Sequence, residues 1–306
     1  MGLKAFKIIV DEVAPEHKVH PTGVPITGHV LVETSNTEDY REIKVTLTGL
    51  GEVEWEEEVR DGDERRKEKF DAKEKYVKEK VVVWKKKDDP DGCFTAGEHS
   101  FPFQFTIPVG SPSSFKSKIA EIRYKIKAKI DQPGKDDKVK QTLKVVDMVD
   151  ADASSLQQPV RREKSKSIGI LCCAAGEVNY TMELARTGFN VKGDKIPIQF
   201  HIENGSTRDI NMEVRLFQNI SYSADGRHRY QHEKILEEES SVITANSTID
   251  WSASGLSIPN IIVTTKSKIF KVGYVLRVCA EIPYSLDPTI DIPVVIGNAS
   301  LFRPPS

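Results

Sequence analysis

The sequence predicts an all-β protein built as two β-sandwiches in tandem, and three observations carry that expectation. Apolar and polar residues alternate along most of the chain: Ile122, Tyr124, Ile126, Ala128 and Ile130 interleave with Arg123, Lys125, Lys127 and Lys129, the period of a half-buried antiparallel strand. Turn residues separate such runs at Pro90-Asp91-Gly92, Pro133-Gly134, Asn204-Gly205 and Asp225-Gly226, so the strands are short and many. One long pattern also occurs twice in the same order. Val30, Val32 and Glu33 followed by Ile43, Val45 and Leu47 recur as Phe200, Ile202 and Glu203 followed by Met212, Val214 and Leu216. A long unit repeated only twice argues for two similar domains rather than a solenoid, and 306 residues suit two domains of about 100–200 each. The expected architecture is therefore tandem immunoglobulin-like β-sandwiches.

The elements follow in order. A first domain is expected over 1–150, where Ile43, Val45 and Leu47 line one strand face while Lys44, Thr46 and Thr48 line the other. From Glu52 to Asp91 charges crowd, as in Glu56-Glu57-Glu58 and Arg65-Arg66-Lys67, and Trp55, Phe70, Tyr76 and Val81 to Trp84 keep no helical spacing. A solvated excursion between two strands is expected there, with strands resuming near Tyr76. Phe105-Thr106-Ile107-Pro108 and the strand Ile122-Arg123-Tyr124-Lys125-Ile126 close the domain. Residues 151–167 hold Ser154, Ser155, Gln157, Gln158 and Pro159, then the basic cluster Arg161, Arg162, Lys164 and Lys166. That stretch has too little apolar surface to order itself by burial and reads as a linker. The second domain, 168–303, repeats the closing pattern as Leu256-Ser257-Ile258-Pro259 and Val272-Gly273-Tyr274-Val275-Leu276.

Composition narrows the function. A 38% hydrophobic, 29% charged chain is that of an ordinary globular protein. Residues 1–150 hold 27 Lys and Arg against 29 Asp and Glu, which leaves 17 against 17 in the remainder, so neither half is basic enough to make nucleic acid an expected partner. No apolar run approaches the ~18 residues of a membrane span, and Met1 to Phe6 has neither a signal-peptide core nor the Ser or Thr that myristoylation wants at Phe6. Four cysteines without a secretory signal fit a reducing compartment, where the sequons at Asn179 and Asn204 carry no weight. Cys172 and Cys173 would put their side chains on opposite faces of a strand. No Cys-x-x-Cys or basic pocket is evident to lower a thiol pKa, so packing is their expected role. His228 and His232 have a spacing that joins a metal on a helix, but they sit in an alternating strand, and Arg229-Tyr230-Gln231 supplies no general base. No phosphate-cradling glycine loop and no Gly-x-Ser-x-Gly elbow is present. No catalytic residue, metal or cofactor is expected.

One binding feature stands out. Lys125, Lys127 and Lys129 put three ammonium groups on one strand face, spaced about 6–7 Å apart, and such a face attracts an acidic or phosphorylated segment. Lys4, Lys7, Lys138, Lys140 and Lys144 extend it if the N-terminal strand and the strand after the hairpin run alongside. The plain alternative is that these lysines keep a strand face wet and discourage edge pairing. A second binding mode is β-augmentation, in which an extended peptide adds to an open sheet edge.

The run Phe101-Pro102-Phe103-Gln104-Phe105-Thr106-Ile107-Pro108, then Pro112-Ser113-Ser114-Phe115, then Ile122-Arg123-Tyr124-Lys125-Ile126-Lys127-Ala128, closely resembles the N-terminal domain of the arrestin-domain-containing proteins, the alpha-arrestins. The second half carries the companion pattern: Cys172-Cys173, Gly188-Phe189, Gly193-Asp194, Glu203-Asn204-Gly205-Ser206, Trp251, Leu256-Ser257-Ile258-Pro259 and Ile292-Pro293-Val294-Val295-Ile296-Gly297. The resemblance covers essentially the whole chain and implies the arrestin fold. By analogy it implies a cytoplasmic adaptor, recruited to plasma membrane and endosomes by peripheral association only. Such an adaptor binds the cytosolic tails of membrane receptors or transporters and links them to HECT-type ubiquitin ligases for ubiquitination, endocytosis and endosomal sorting. The ligase is taken through Pro-Pro-x-Tyr motifs of a tail; no such motif occurs here, and the sequence stops at Arg303-Pro304-Pro305-Ser306.

Two departures matter. The receptor-desensitising arrestins keep a buried charge cluster whose acidic part follows the Trp251 region, whereas no Asp or Glu lies between Asp250 and Glu281 here. The thioredoxin-binding member of the family carries a cysteine three residues before its matching tryptophan, where this chain has Thr248. Alternatives from other classes are a retromer-like coat subunit, which shares the fold, and a thiol-based redox regulator.

Overall fold

The described residues of this computed structural model, 2–12, 18–61, 64–170 and 173–302, are for the most part β-strand, with three short 3-10 turns. They fall into two units. The first comprises Met1–Met148 with the short segments Tyr222–His228 and Ser267–Phe270; the second comprises Val149–Ser221, Arg229–Lys266 and Lys271–Ser306.

In the first unit the strands are β1 (Leu3–Val10), β2 (His20–Pro21), β3 (Pro25–Thr34), β4 (Glu42–Asp61), β5 (Glu64–Lys85), β6 (Gly97–Thr106), β7 (Phe115–Lys116), β8 (Ala120–Asp131), β9 (Asp137–Leu143) and β10 (Val145–Val146). One sheet has the order β1-β3-β6; the other runs β5-β4-β8-β7, with β9 also paired to β8. Period-two alternation gives each sheet one apolar face, and these faces make the sandwich core. Val30 and Val32 of β3, Phe103 and Phe105 of β6, Ile43, Val45 and Leu47 of β4, and Tyr124, Ile126 and Ala128 of β8 are at most 5% exposed. Each large aliphatic side chain buried this way contributes about 1.5–3 kcal/mol. Tyr124 brings one polar atom into that core and satisfies it by donating to the Pro112 carbonyl at 2.7 Å. Burial pushes its phenol far above the usual tyrosine pKa. Directly across from it is Gly49, where a Cβ would come within 2.5 Å of the ring, so only glycine leaves room for this aromatic.

The expected excursion between Glu52 and Asp91 is not what forms. β4 and β5 make one continuous hairpin, paired from Glu42–Lys85 out to Asp61–Glu64. Its rungs alternate in chemistry. Trp55 faces Phe70 with ring centroids 5.9 Å apart, both buried, on one side of the ribbon. The other side carries opposite charges, with Glu54–Lys69 and Glu52–Lys73 each at 3.0 Å. Part of the crowded charge is thus cross-strand pairing, as in these two contacts. Register shifts at Ile43/Lys44 and Gly49/Leu50 break the phase, which is why the alternation looks irregular when read along one strand.

In the second unit β11 (Val160–Ile170), β12 (Cys173–Leu184), β14 (Lys195–Asn204) and β17 (Ser247–Ser257) form one sheet in that order. The other follows β13 (Gly188–Asn190), β20 (Thr289–Gly297), β19 (Phe270–Glu281), β15 (Asn211–Ala224) and β16 (Arg227–Glu239), with β18 (Thr265–Lys266) on β19. Tyr180, Met182, Ile198, Ile202, Val214, Leu216, Leu276 and Val278 are at most 2% exposed and form its core. The duplication seen in the sequence persists in the backbone. Each unit closes with a short parallel pair, β2 with β10 and β13 with β20. The phenol of Tyr274 donates to the Ile262 carbonyl, twelve residues upstream, as that of Tyr124 does to Pro112.

The stretch expected to be linker differs in its second half. Val160–Ile170 is strand β11, paired antiparallel to β12 along its whole length. Among its described side chains only Ile168 is buried, so main-chain hydrogen bonds to β12 order it rather than apolar burial, and a pattern reading tuned to burial misses it.

Candidate functional site

The row of lysines on β8 faces outward, half-exposed, because Tyr124, Ile126 and Ala128 claim the inner face. Pairing enlarges the row. On one side β9 sets Lys140 opposite Lys127, Lys138 opposite Lys129 and Thr142 opposite Lys125. On the other side β4 sets Lys44 opposite Lys129, Thr46 opposite Lys127 and Thr48 opposite Lys125. One strand further, Lys80 stands across from Thr46 and Lys78 across from Thr48. Eight lysines therefore share one face of a four-strand surface, at the strand spacing of about 4.8 Å in one direction and about 6.7 Å in the other.

Carboxylates border this face at both ends. Asp136 reaches Lys129 at 2.6 Å and Lys138 at 3.6 Å, and Glu42 pairs with Lys44. The Lys129 ammonium holds the Asp136 carboxyl below its usual range, and Asp136 in turn raises the Lys129 pKa. At the opposite end Arg123 reaches Glu52 at 2.8 Å and Glu121 at 2.5 Å. Between these borders no carboxylate partner reaches Lys78, Lys80, Lys125, Lys127 or Lys140 among the described residues. The Lys127–Lys140 rung is thus a like-charge pair directly across a ladder, an arrangement that costs stability. One rung away the Lys129–Lys138 pair is bridged by Asp136.

Lys4 and Lys7 lie elsewhere. β1 pairs with β3, not with β8 or β9; Lys4 contacts Glu33 at 3.6 Å, and Lys7 is exposed opposite Leu31. They belong to the other sheet because the N-terminal strand joins the three-stranded layer, a choice the alternation of β1 alone does not fix. Lys144, between β9 and β10, is exposed at the margin. Lys44, Lys78 and Lys80 were missed as members of the face. Their alternation with Val45, Val77 and Val81 marks them as outward, but only the pairing of β4 with β8 and of β5 with β4 places them on this face.

The remaining candidates bring no chemistry together. His228 shares a hydrogen bond with Ser223 at 2.9 Å, while His232 stacks on Phe217 with centroids 4.3 Å apart. Among the described residues no group of His, Cys, Asp and Glu has the arrangement of a metal site. Cys172 lies outside the described residues, as does the side chain of Cys173. Cys279 is buried, which pushes its thiol up to about 11 and makes it a poor nucleophile. No helix among the described residues is long and apolar enough to cross a membrane.

Comparison with known proteins gives the family. The domain described as "Arrestin (or S-antigen), N-terminal domain" matches residues 6–152, and "Arrestin (or S-antigen), C-terminal domain" matches 174–301. Arrestin domain-containing protein 4 of Homo sapiens is 27% identical, over 91% of this chain and 68% of its own length. Thioredoxin-interacting protein of Homo sapiens is 25% identical, over 97% of this chain and 75% of its own, and that of Mus musculus is 25% identical, over 97% and 74%. With both arrestin domains matched in order along two β-sandwich units, the chain belongs to the arrestin-domain-containing family, the alpha-arrestins.

Proposed function

We infer that this protein is a non-catalytic cytoplasmic trafficking adaptor. It binds cytosolic tails of membrane receptors or transporters and links them, through a HECT-type ubiquitin ligase, to ubiquitination, endocytosis and endosomal sorting. Its first domain spans 1–150, and the second, expected over 168–303, takes in strand β11 from Val160. The observation that carries the cargo-binding part is the lysine face: five ammonium groups with no carboxylate in ion-pair contact among the described residues, among them a like-charge rung. Asp136 supplies the template for what such a rung accepts, one anion between two lysines. An acidic or phosphorylated side chain of an extended cargo segment would sit between Lys127 and Lys140, with Lys125 and Lys80 beside it, and bring its negative charge to an unneutralised site.

Fluorescence anisotropy with a labelled phosphopeptide tests this. The change Lys125→Glu, Lys127→Glu, Lys129→Glu is expected to weaken binding more than tenfold while the melting temperature stays within a few degrees, since all three side chains are outward. Lys4→Glu with Lys7→Glu is expected to have less effect, because those lysines lie in the other sheet. Unchanged binding by the triple variant would remove the face from the site. Crosslinking and affinity capture from cells then tests the adaptor role. Membrane transporters with a WW-domain ligase support it, and a coat of fixed stoichiometry replaces it.

A further inference from the structure

Strand β11 is an edge strand of its sheet with little apolar burial. It pairs with β12 on one side only, and its other edge carries no partner strand among the described residues. Arg161, Arg162, Glu163, Lys164, Ser165 and Ser167 are exposed, and Ile168 is its one buried side chain among those described. Ser165 has Arg162 three residues before it and Arg161 four before. An exposed serine on an open, extended edge with arginines at those positions has the charge pattern by which basophilic Ser/Thr kinases select substrates. Its hydroxyl donates to the Glu177 carboxylate across the ladder. It also lines an open depression of about 570 Å³ with Arg161, Glu163, Lys164, Asn179, His201 and Glu203.

We propose that Ser165 is a phosphorylation site and that its occupation releases β11 from β12. In the modification the Ser165 Oγ attacks the γ-phosphorus of ATP. The O–P bond forms, the bond from the γ-phosphorus to the bridging oxygen breaks, ADP departs and the hydroxyl proton passes to the kinase's carboxylate base. The product carries a charge of about −1.5 to −2 at pH 7 where a neutral donor stood. It loses the hydrogen bond to Glu177 and confronts Glu177, Glu163 and Glu203. Arg161 is already engaged, reaching Glu163 at 2.8 Å and Glu183 at 3.2 Å, and the His201 ring is held by Asp250 at 2.7 Å and Glu203 at 3.4 Å. Lys164 borders the same depression and offsets part of the added charge, while Lys166 alternates to the opposite side of the strand. Like charges facing one another across a ladder destabilise it, and a strand held by little beyond backbone hydrogen bonds opens at low cost. Phosphorylation would turn 160–167 into the flexible connection that its composition suggests.

The test uses the intact chain, ATP and a kinase that selects arginine three residues before its acceptor. The modified residue is mapped by mass spectrometry, and amide hydrogen exchange is compared before and after. The expected result is phosphate on Ser165, exchange across Val160–Ile170 faster by roughly tenfold or more, and unchanged exchange in β19 and β20. Glu177→Gln is expected to reduce the acceleration by removing one repelling charge. Absence of phosphate from Ser165, or phosphate there with unchanged exchange in β11, overturns the proposal.

Discussion

Tyr124 and Tyr274 show how single buried polar atoms are made tolerable. Each phenol sits in a core strand, and each gives its proton to a carbonyl twelve residues upstream; Tyr274 also accepts from Gln218 at 2.6 Å. Removing either hydroxyl leaves a carbonyl short of its donor, so Tyr124→Phe and Tyr274→Phe are each expected to cost about 1–3 kcal/mol, read as a shift of the urea midpoint with unchanged slope. Arg277 and Asp291 form a paired contact at 2.7 and 2.8 Å, and the guanidinium lowers the Asp291 carboxyl pKa. A carboxyl depressed in the folded state contributes stability above its unfolded pKa and loses it as pH falls through the folded value. Arg277→Gln is therefore expected to cost stability at pH 7 and nearly nothing at pH ~2. Both side chains are about one-third exposed or more, so solvent screening keeps the loss under about 1 kcal/mol. Outward orientation was legible where periodicity fixes it, as for Lys125, Lys127 and Lys129. Membership of a face was not legible where a partner strand decides, as for Lys4, Lys7, Lys78 and Lys80.

The β4–β5 hairpin is the element where local reading and structure part. Its apolar residues Trp55 and Phe70 are fifteen positions apart and meaningless as a pattern until the two strands are laid against each other. Once paired they form one aromatic rung, and the charges around them become pairs as well. A double-mutant cycle of Trp55→Ala and Phe70→Ala is expected to show a coupling of about 0.5–1.5 kcal/mol beyond lost burial; additive losses would mean the rings merely share a solvent-shielded ribbon. Gly49→Ala is expected to destabilise the same element, since the new methyl meets the Tyr124 ring at 2.5 Å and β4 has no slack between β5 and β8. Strand identity was legible for β3, β8, β15 and β19, for β4 up to about Gly51 and for β5 from about Tyr76. It was illegible for the outer half of the β4–β5 hairpin and for β11, which are ordered by pairing more than by burial.

For the whole molecule, a net charge of −2 conceals an uneven distribution, and the lysine face acts at short range only. At physiological ionic strength the field of a surface charge fades within about 8 Å. Phosphopeptide affinity is thus expected to fall steeply between 0.05 and 0.5 M NaCl while thermal stability changes little; an affinity indifferent to salt would point to main-chain augmentation in place of charge. The two-domain plan was readable because a repeat separated by about 150–170 residues needs no knowledge of pairing.

That duplication has a use beyond ancestry. The phenol-to-carbonyl bond occurs twice, at the same separation along the chain, in one β-sandwich edged by a lysine array and in another without one. The molecule thus contains a replicate of its own experiment. A difference between the costs of Tyr124→Phe and Tyr274→Phe measures surroundings rather than bond, and isolates what each half has acquired since the two were alike.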